Sequence, residues 1–212
     1  MTQLDFRYSS ISAKAFEALI SHTAALQTFR YCNGGPGRRT RWYDPAGIVA
    51  VLKKYSASTL QVLDIEWAEP CNFGDFTPDP RVGSLRAFTA LRSVRLESLV
   101  FGLLDNDEDT KPRAENDPDG HSDKYPFLAR LIDVLPPTIE TMVILGVNRE
   151  AAQDLFRDMA DLKEQSLPHL VMIEIEWDIW SVLPDLKSAL QEIGVMLTTE
   201  ATASPSSYML RS

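Results

Sequence analysis

The chain has 212 residues, 44% of them hydrophobic and 24% charged, the mix of an ordinary folded protein. This excludes a mainly disordered chain, a collagen-like one and a disulfide scaffold, and the length allows one domain or one repeat array. The net charge of −9 is mostly local, because residues 105–123 hold eight acids against two bases and leave 22 acids and 19 bases elsewhere.

In chain order, Leu4 and Phe6 open the sequence with the alternation of a short strand. A first helix is predicted through Ala13, Phe16, Leu19 and Ile20, and a strand from Leu26 to Tyr31. Asp44-Pro45, a cap followed by a first-turn proline, leads into Ile48, Val51, Leu52 and Tyr55 at helical spacing. A strand follows at Leu60 to Ile65, and another at Leu91 to Leu96, with room for only a turn or two between Ser84 and Ala90. Leu128, Leu131, Ile132 and Leu135 form a helical stripe stopped by Pro136-Pro137. After a strand at Ile139 to Ile144, Asn148 is placed to cap a helix carrying Leu155, Phe156, Met159 and Leu162. The last strand expected is Leu170 to Ile175. The last helix carries Leu183, Leu186, Leu190 and Ile193, with Gly194 suited to the left-handed residue that ends it.

The strands share one signature, apolar at the first, fourth and sixth places. It reads Leu26-x-x-Phe29-x-Tyr31, Leu60-x-x-Leu63-x-Ile65, Leu91-x-x-Val94-x-Leu96, Ile139-x-x-Met142-x-Ile144 and Leu170-x-x-Ile173-x-Ile175, with a partial copy at Leu4 and Phe6. Its starts lie 34, 31, 48 and 31 residues apart. Right-handed crossovers between such units stack the strands into one parallel sheet, each unit burying its apolar stripe against its neighbours. A doubly wound sheet also alternates strand and helix, but it buries both faces, and its strands read as continuous apolar runs. Arg30, Asp64, Arg95 and Glu174 at mid-strand require one wet face. The expected fold is therefore α/β, a solenoid with a single curved parallel sheet and helices on the convex side. About six strand-helix units fill residues 1–199, with an acidic loop insert at 105–124 and a flexible tail at 200–212.

The L-x-x-L-x-L pattern resembles leucine-rich repeats. Leu135-Pro-Pro-Thr-Ile-Glu-Thr-Met-Val-Ile144 and Trp42-Tyr-Asp-Pro-Ala-Gly-Ile48 resemble the C-terminal repeat region of fungal F-box-type proteins. The resemblance runs from Leu4 to Leu197. It implies a substrate-recognition module of a ubiquitin-ligase receptor. Two departures stand against a full match. The ninth places, occupied in the family by Asn or Cys, are Gly34, Ala68, Leu99, Val147 and Asp178 here. The F-box that precedes the family's repeats has no counterpart before Leu4, so a fragment, a truncated gene product or a repeat protein outside any ligase is expected.

Candidate chemistry is sparse. Gly34-Gly-Pro-Gly-Arg-Arg-Thr40 lacks the lysine and the immediate helix of a phosphate loop. Arg38, Arg39 and Arg41 beside Trp42 are instead placed to grip an acidic or phosphorylated peptide. Asp105-x-Asp107-x-Asp109 opens like a calcium loop, but Thr110 and Asn116 stand where glycine and a bidentate glutamate belong. His22, His121 and His169 do not pair at ligand spacing, and no Gly-x-Ser-x-Gly elbow occurs. Cys32 has no base placed beside it and reads as a plain surface or packed thiol. Trp67 and Trp177, each at the eighth place of a repeat, read either as rim packing or as anchors for a partner. No catalytic, cofactor or metal residue is assigned.

The function expected is a non-catalytic protein-binding module, reading a partner through the concave face with Arg30, Asp64, Arg95, Glu174, Trp67, Trp177, Arg38, Arg39 and Arg41. Fifth-place side chains on that face form the row Asp5, Arg30, Asp64, Arg95, Val143, Glu174, whose first four signs alternate as a lateral charge ladder. A rival reading is an α/β enzyme or small-ligand protein using loop 34–41; a third is an inert repeat array. Nucleic acid is not expected as a partner because no basic stripe exists. A membrane is not expected either: no apolar run approaches the roughly 18 residues of a spanning helix, and no signal peptide is read. With only Cys32 and Cys71, an intracellular setting, cytoplasm or nucleus, is expected. An N-terminal strand at a sheet edge invites self-association.

Overall fold

The computed structural model of the protein describes residues 2–23, 25–33, 44–67, 81–97, 100, 130–146, 152, 155–176 and 184–200. The repeated signature forms strands β2 (Thr28–Asn33), β3 (Val62–Trp67), β4 (Ser93–Glu97), β5 (Thr141–Leu145) and β6 (Met172–Glu176). The partial copy forms β1 (Gln3–Ser9). A seventh strand, β7 (Met196–Glu200), lies beyond the six expected and extends the sheet to Glu200. All neighbours are parallel, and the spatial order β1-β2-β3-β4-β5-β6-β7 is the chain order.

That order has no reversal, so among the described strands there is no switch point of the doubly wound kind. With right-handed crossovers, it places successive connections on the same face of the sheet. The core agrees. The first-, fourth- and sixth-place residues of all five full repeats, from Leu26, Phe29 and Tyr31 to Leu170, Ile173 and Ile175, are buried in one cluster with the apolar side chains of the helices. The fifth-place residues point the other way, into an open face.

The helices bounded by described residues are α1 (Ala13–Ile20), α2 (Pro45–Ser56), α3 (Leu131–Val134), α4 (Met159–Ser166) and α5 (Pro184–Glu192). Ser12 caps α1, its hydroxyl accepting from Ala15 N at 3.2 Å. Asp44 caps α2 through Gly47 N at 2.7 Å, with Pro45 in the first turn as the sequence predicts. Lys54 Nζ and the Tyr55 hydroxyl of α2 reach Glu17 of α1 at 2.8 and 3.0 Å. Gly194 ends α5 at φ 74°, a conformation that costs glycine little. Residues 81–92 hold turns only, sealed by buried Leu85 and Phe88.

Three details differ from expectation. Leu19 is 47% exposed, so α1 buries Phe16 and Ile20 alone. In α2, Val49 is fully buried while Val51 and Tyr55 are only partly so. α4 begins at Met159, after Asp158 takes a left-handed φ of 58°; Leu155 is helical but lies before this break, so it and Phe156 pack into the core ahead of α4 rather than along it. Asn148, the cap expected for that helix, lies outside the described residues, as do Leu128, Leu183, the ninth places of the repeats and the insert at 105–124.

One stitch recurs between units. Thr59 and Thr138, each just before a first-place residue, donate their hydroxyls to the carbonyls of Leu26 and Leu91 at 2.9 and 2.7 Å. Each accepting residue is the first place of the preceding unit, so buried backbone oxygens find partners where the chain enters a strand.

Candidate functional site

The register places the fifth-place residues as lateral neighbours. Asp5 pairs with Arg30, Arg30 with Asp64, Asp64 with Arg95, Arg95 with Val143, and Val143 with Glu174. Thr198 of β7 ends the row. Long side chains also reach diagonally, so the seventh-place row matters. There Cys32 lies beside Glu66, and Glu97 beside Leu145.

The charges do not pair as a simple ladder. Asp5 is taken by Arg7 of its own strand, with two hydrogen bonds at 3.3 and 3.4 Å, rather than by Arg30. Arg95 reaches Glu66 at 3.2 Å, closer than its 3.7 Å approach to Asp64. Arg30 Nε stands 4.0 Å from Asp64 Oδ2. Asp64 is therefore flanked by two guanidiniums, and neither is within hydrogen-bonding distance. Its Oδ1 is buried and accepts no hydrogen bond. Burial pushes the Asp64 carboxyl up to about 6, against the pull of Arg95 and Arg30 and with help from Glu66 and Asp5. Burial and the adjacent Glu66 carboxylate push the Cys32 thiol up to about 11, the opposite of what a nucleophilic cysteine requires.

These side chains surround a cavity of about 200 Å³ on the open face over β1 to β4. Tyr8 stands at its edge, 67% exposed and at φ 51°, where the register with β2 slips between Phe6 and Ser9. Across β5 to β7 the open face carries Val143, Leu145, Met172 and the 55% exposed Met196, with Glu174 among them.

Of the residues expected to bind a partner, Arg30, Asp64, Arg95 and Glu174 thus share one face and one row. Trp67 ends β3 opposite Asn33. Trp177, Arg38, Arg39 and Arg41 lie outside the described residues. Sequence reasoning missed Arg7 and Glu66, although both stand two places along from a ladder residue, the spacing that puts side chains on the same face of a strand. Among the described residues no group of three or more His, Cys, Asp or Glu side chains is arranged to hold a metal ion, and no helix is long and apolar enough to cross a membrane. Comparison with family models, with curated proteins and with solved structures finds no match to this chain.

Proposed function

We propose that the chain is a non-catalytic protein-binding module, a leucine-rich-repeat-like solenoid that reads a protein partner through the open face of its sheet. The observation that carries this reading is the contrast between the sheet's two faces, one filled by helices and core, the other presenting an ordered row from Asp5 to Thr198. Unbroken strand order and the burial of every first-, fourth- and sixth-place residue of the full repeats support the repeat interpretation. By its resemblance, the module corresponds to the substrate-recognition repeats of an F-box-type ubiquitin-ligase receptor. The rival enzyme or small-ligand reading depends on loop 34–41, which lies outside the described residues.

The test compares proteins retained from a native lysate by the wild-type chain, by Val143→Glu on the open face, and by Lys14→Glu on exposed α1, each checked for folding by circular dichroism. A partner kept by wild type and Lys14→Glu but lost by Val143→Glu supports the reading. Identical retention by all three refutes it.

A further inference from the structure

The cavity over β1 to β4 holds three acids and three arginines, so its charges sum to zero, but they are not equally engaged. Arg7 is held by Asp5 through two hydrogen bonds, and Arg95 by Glu66 at 3.2 Å. Arg30 and Asp64 are left over. They face each other on adjacent strands at 4.0 Å, too far for a hydrogen bond. The Arg30 side chain is 45% exposed and donates no hydrogen bond to a described residue, and Asp64 Oδ2, the oxygen that faces it, accepts none from one. One unmet donor group and one unmet acceptor thus lie side by side.

The class of group that fits follows from the charges around this pair. A cation approaching Asp64 must pass between Arg30 and Arg95. An anion approaching Arg30 meets Asp64 at once, with Asp5 and Glu66 on either side. A net charge of either sign is opposed, while a neutral group with an acceptor beside a donor is favoured on both ends. A primary carboxamide is such a group, its C=O and N–H₂ sharing one carbon. We propose that this cavity is a carboxamide subsite that takes an asparagine or glutamine side chain of the protein partner, its C=O accepting from Arg30 and its N–H donating to Asp64 Oδ2.

The surroundings suit such a side chain. The exposed Tyr8 ring offers an apolar wall for methylene groups. Cys32 contributes a neutral thiol rather than a further charge. Asp64 Oδ1 is shut off from any ligand, so the carboxamide N–H must be met by Oδ2, where a charge-assisted hydrogen bond is rewarded more than added contact area alone. The assignment rests on the protein-binding reading for its natural occupant, but the chemistry of the cavity can be measured without a partner.

The probes are propionamide, propionate and propylammonium, three small molecules of similar size that differ in the end group. Each is titrated into the ¹⁵N-labelled chain while the Arg30 Nε–H and the backbone amides of Cys32 and Asp64 are followed by NMR. The expected result is a saturable shift at these positions with propionamide alone, abolished in Arg30→Met and in Asp64→Leu. Equal or tighter binding of propionate or propylammonium, or no saturable shift with propionamide, overturns the proposal. Should Asp64→Leu fail to fold, Arg30→Met and the choice among the three probes still decide the matter. If propionamide binds here while Val143→Glu retains every partner, the protein-binding reading fails and the subsite stands. Partner loss in Val143→Glu without propionamide binding removes the subsite alone.

Discussion

The sheet has two halves that differ on both of its faces. Under β1 and β2 the core is aromatic, with Phe16 and Phe29 at 4.9 Å between ring centroids and Phe6 and Tyr31 within 6.4 Å of Phe29. Above it the open face is crowded with ionised groups. Under β5 and β6 the core is aliphatic, built on Met142, Ile144, Ile173 and Ile175, and the open face turns to Val143, Leu145 and Met172, with Glu174 the charge among them. The same backbone pattern thus supports two chemistries, because burial dictates the first, fourth and sixth places and leaves the fifth free to vary. On the proposed reading, the fifth place is where selectivity for a partner would be written without disturbing the fold.

The comparison can be pressed through stability first. Phe29→Ala should cost about 3–5 kcal/mol, since a fully buried ring is deleted from a cluster of rings. Ile173→Val in the far half should cost about 0.5–1.5 kcal/mol. Urea denaturation of both variants reads the difference, and equal losses would mean that the aromatic cluster adds nothing to the near half.

Next is the response to pH, which the two halves should not share. Folded Asp64 binds its proton more tightly than the unfolded chain does, since burial raises its carboxyl to about 6 from an ordinary value of 3.8. Its contribution to stability is therefore full below about pH 4 and is lost as the pH rises through 6. With solvent screening at this partly open site, the loss is on the order of 1 kcal/mol. In Asp64→Asn this component of the slope should vanish, whereas Glu174→Gln should leave it in place. A wild-type and an Asp64→Asn profile that run parallel between pH 4.5 and 7 would show the carboxyl titrating normally.

A helix-capping change is comparable in size. Asp44→Ala should cost about 0.5–2 kcal/mol, because Gly47 N loses its acceptor. Thermal unfolding is the measurement, and an unchanged midpoint would show that water replaces the cap. The smallest effect expected is on the charged row. A double-mutant cycle on Asp64→Ala and Arg95→Ala should give a coupling of roughly 0.2–1 kcal/mol. The matching cycle on Arg95→Ala and Val143→Ala should be additive, which sets the boundary between the halves at β4 and β5.

Most of the fold is legible in the sequence because a six-residue signature fixes strand, face and register together. A shift of one residue would turn every core side chain outward. The row from Asp5 to Glu174 follows from that signature alone. β7 is not legible in the same way. Gly194 and Thr199 stand where its first and sixth apolar residues belong, and only Leu197 remains. An edge strand packed from one side needs less of the pattern. The pairing of charges was legible in outline but not in partner, since the row shows only lateral neighbours. Arg95 reaches diagonally to Glu66, and Arg7 folds back on Asp5 where the register of β1 slips. Neither choice can be read from residue order, because both depend on where flexible side chains find a carboxylate first.

The agreement between chain order and strand order has a consequence for how the fold is lost. Each strand is paired only with those just before and after it in the sequence, so its anchorage depends on its distance from an end of the row. Opening can then start at β1 or β7 without breaking the middle, and amide hydrogen exchange should be slowest in β4 and faster toward both edges. The cavity over β1 to β4 consequently spans the expected gradient, with Arg7 on an edge strand and Arg95 on the central one.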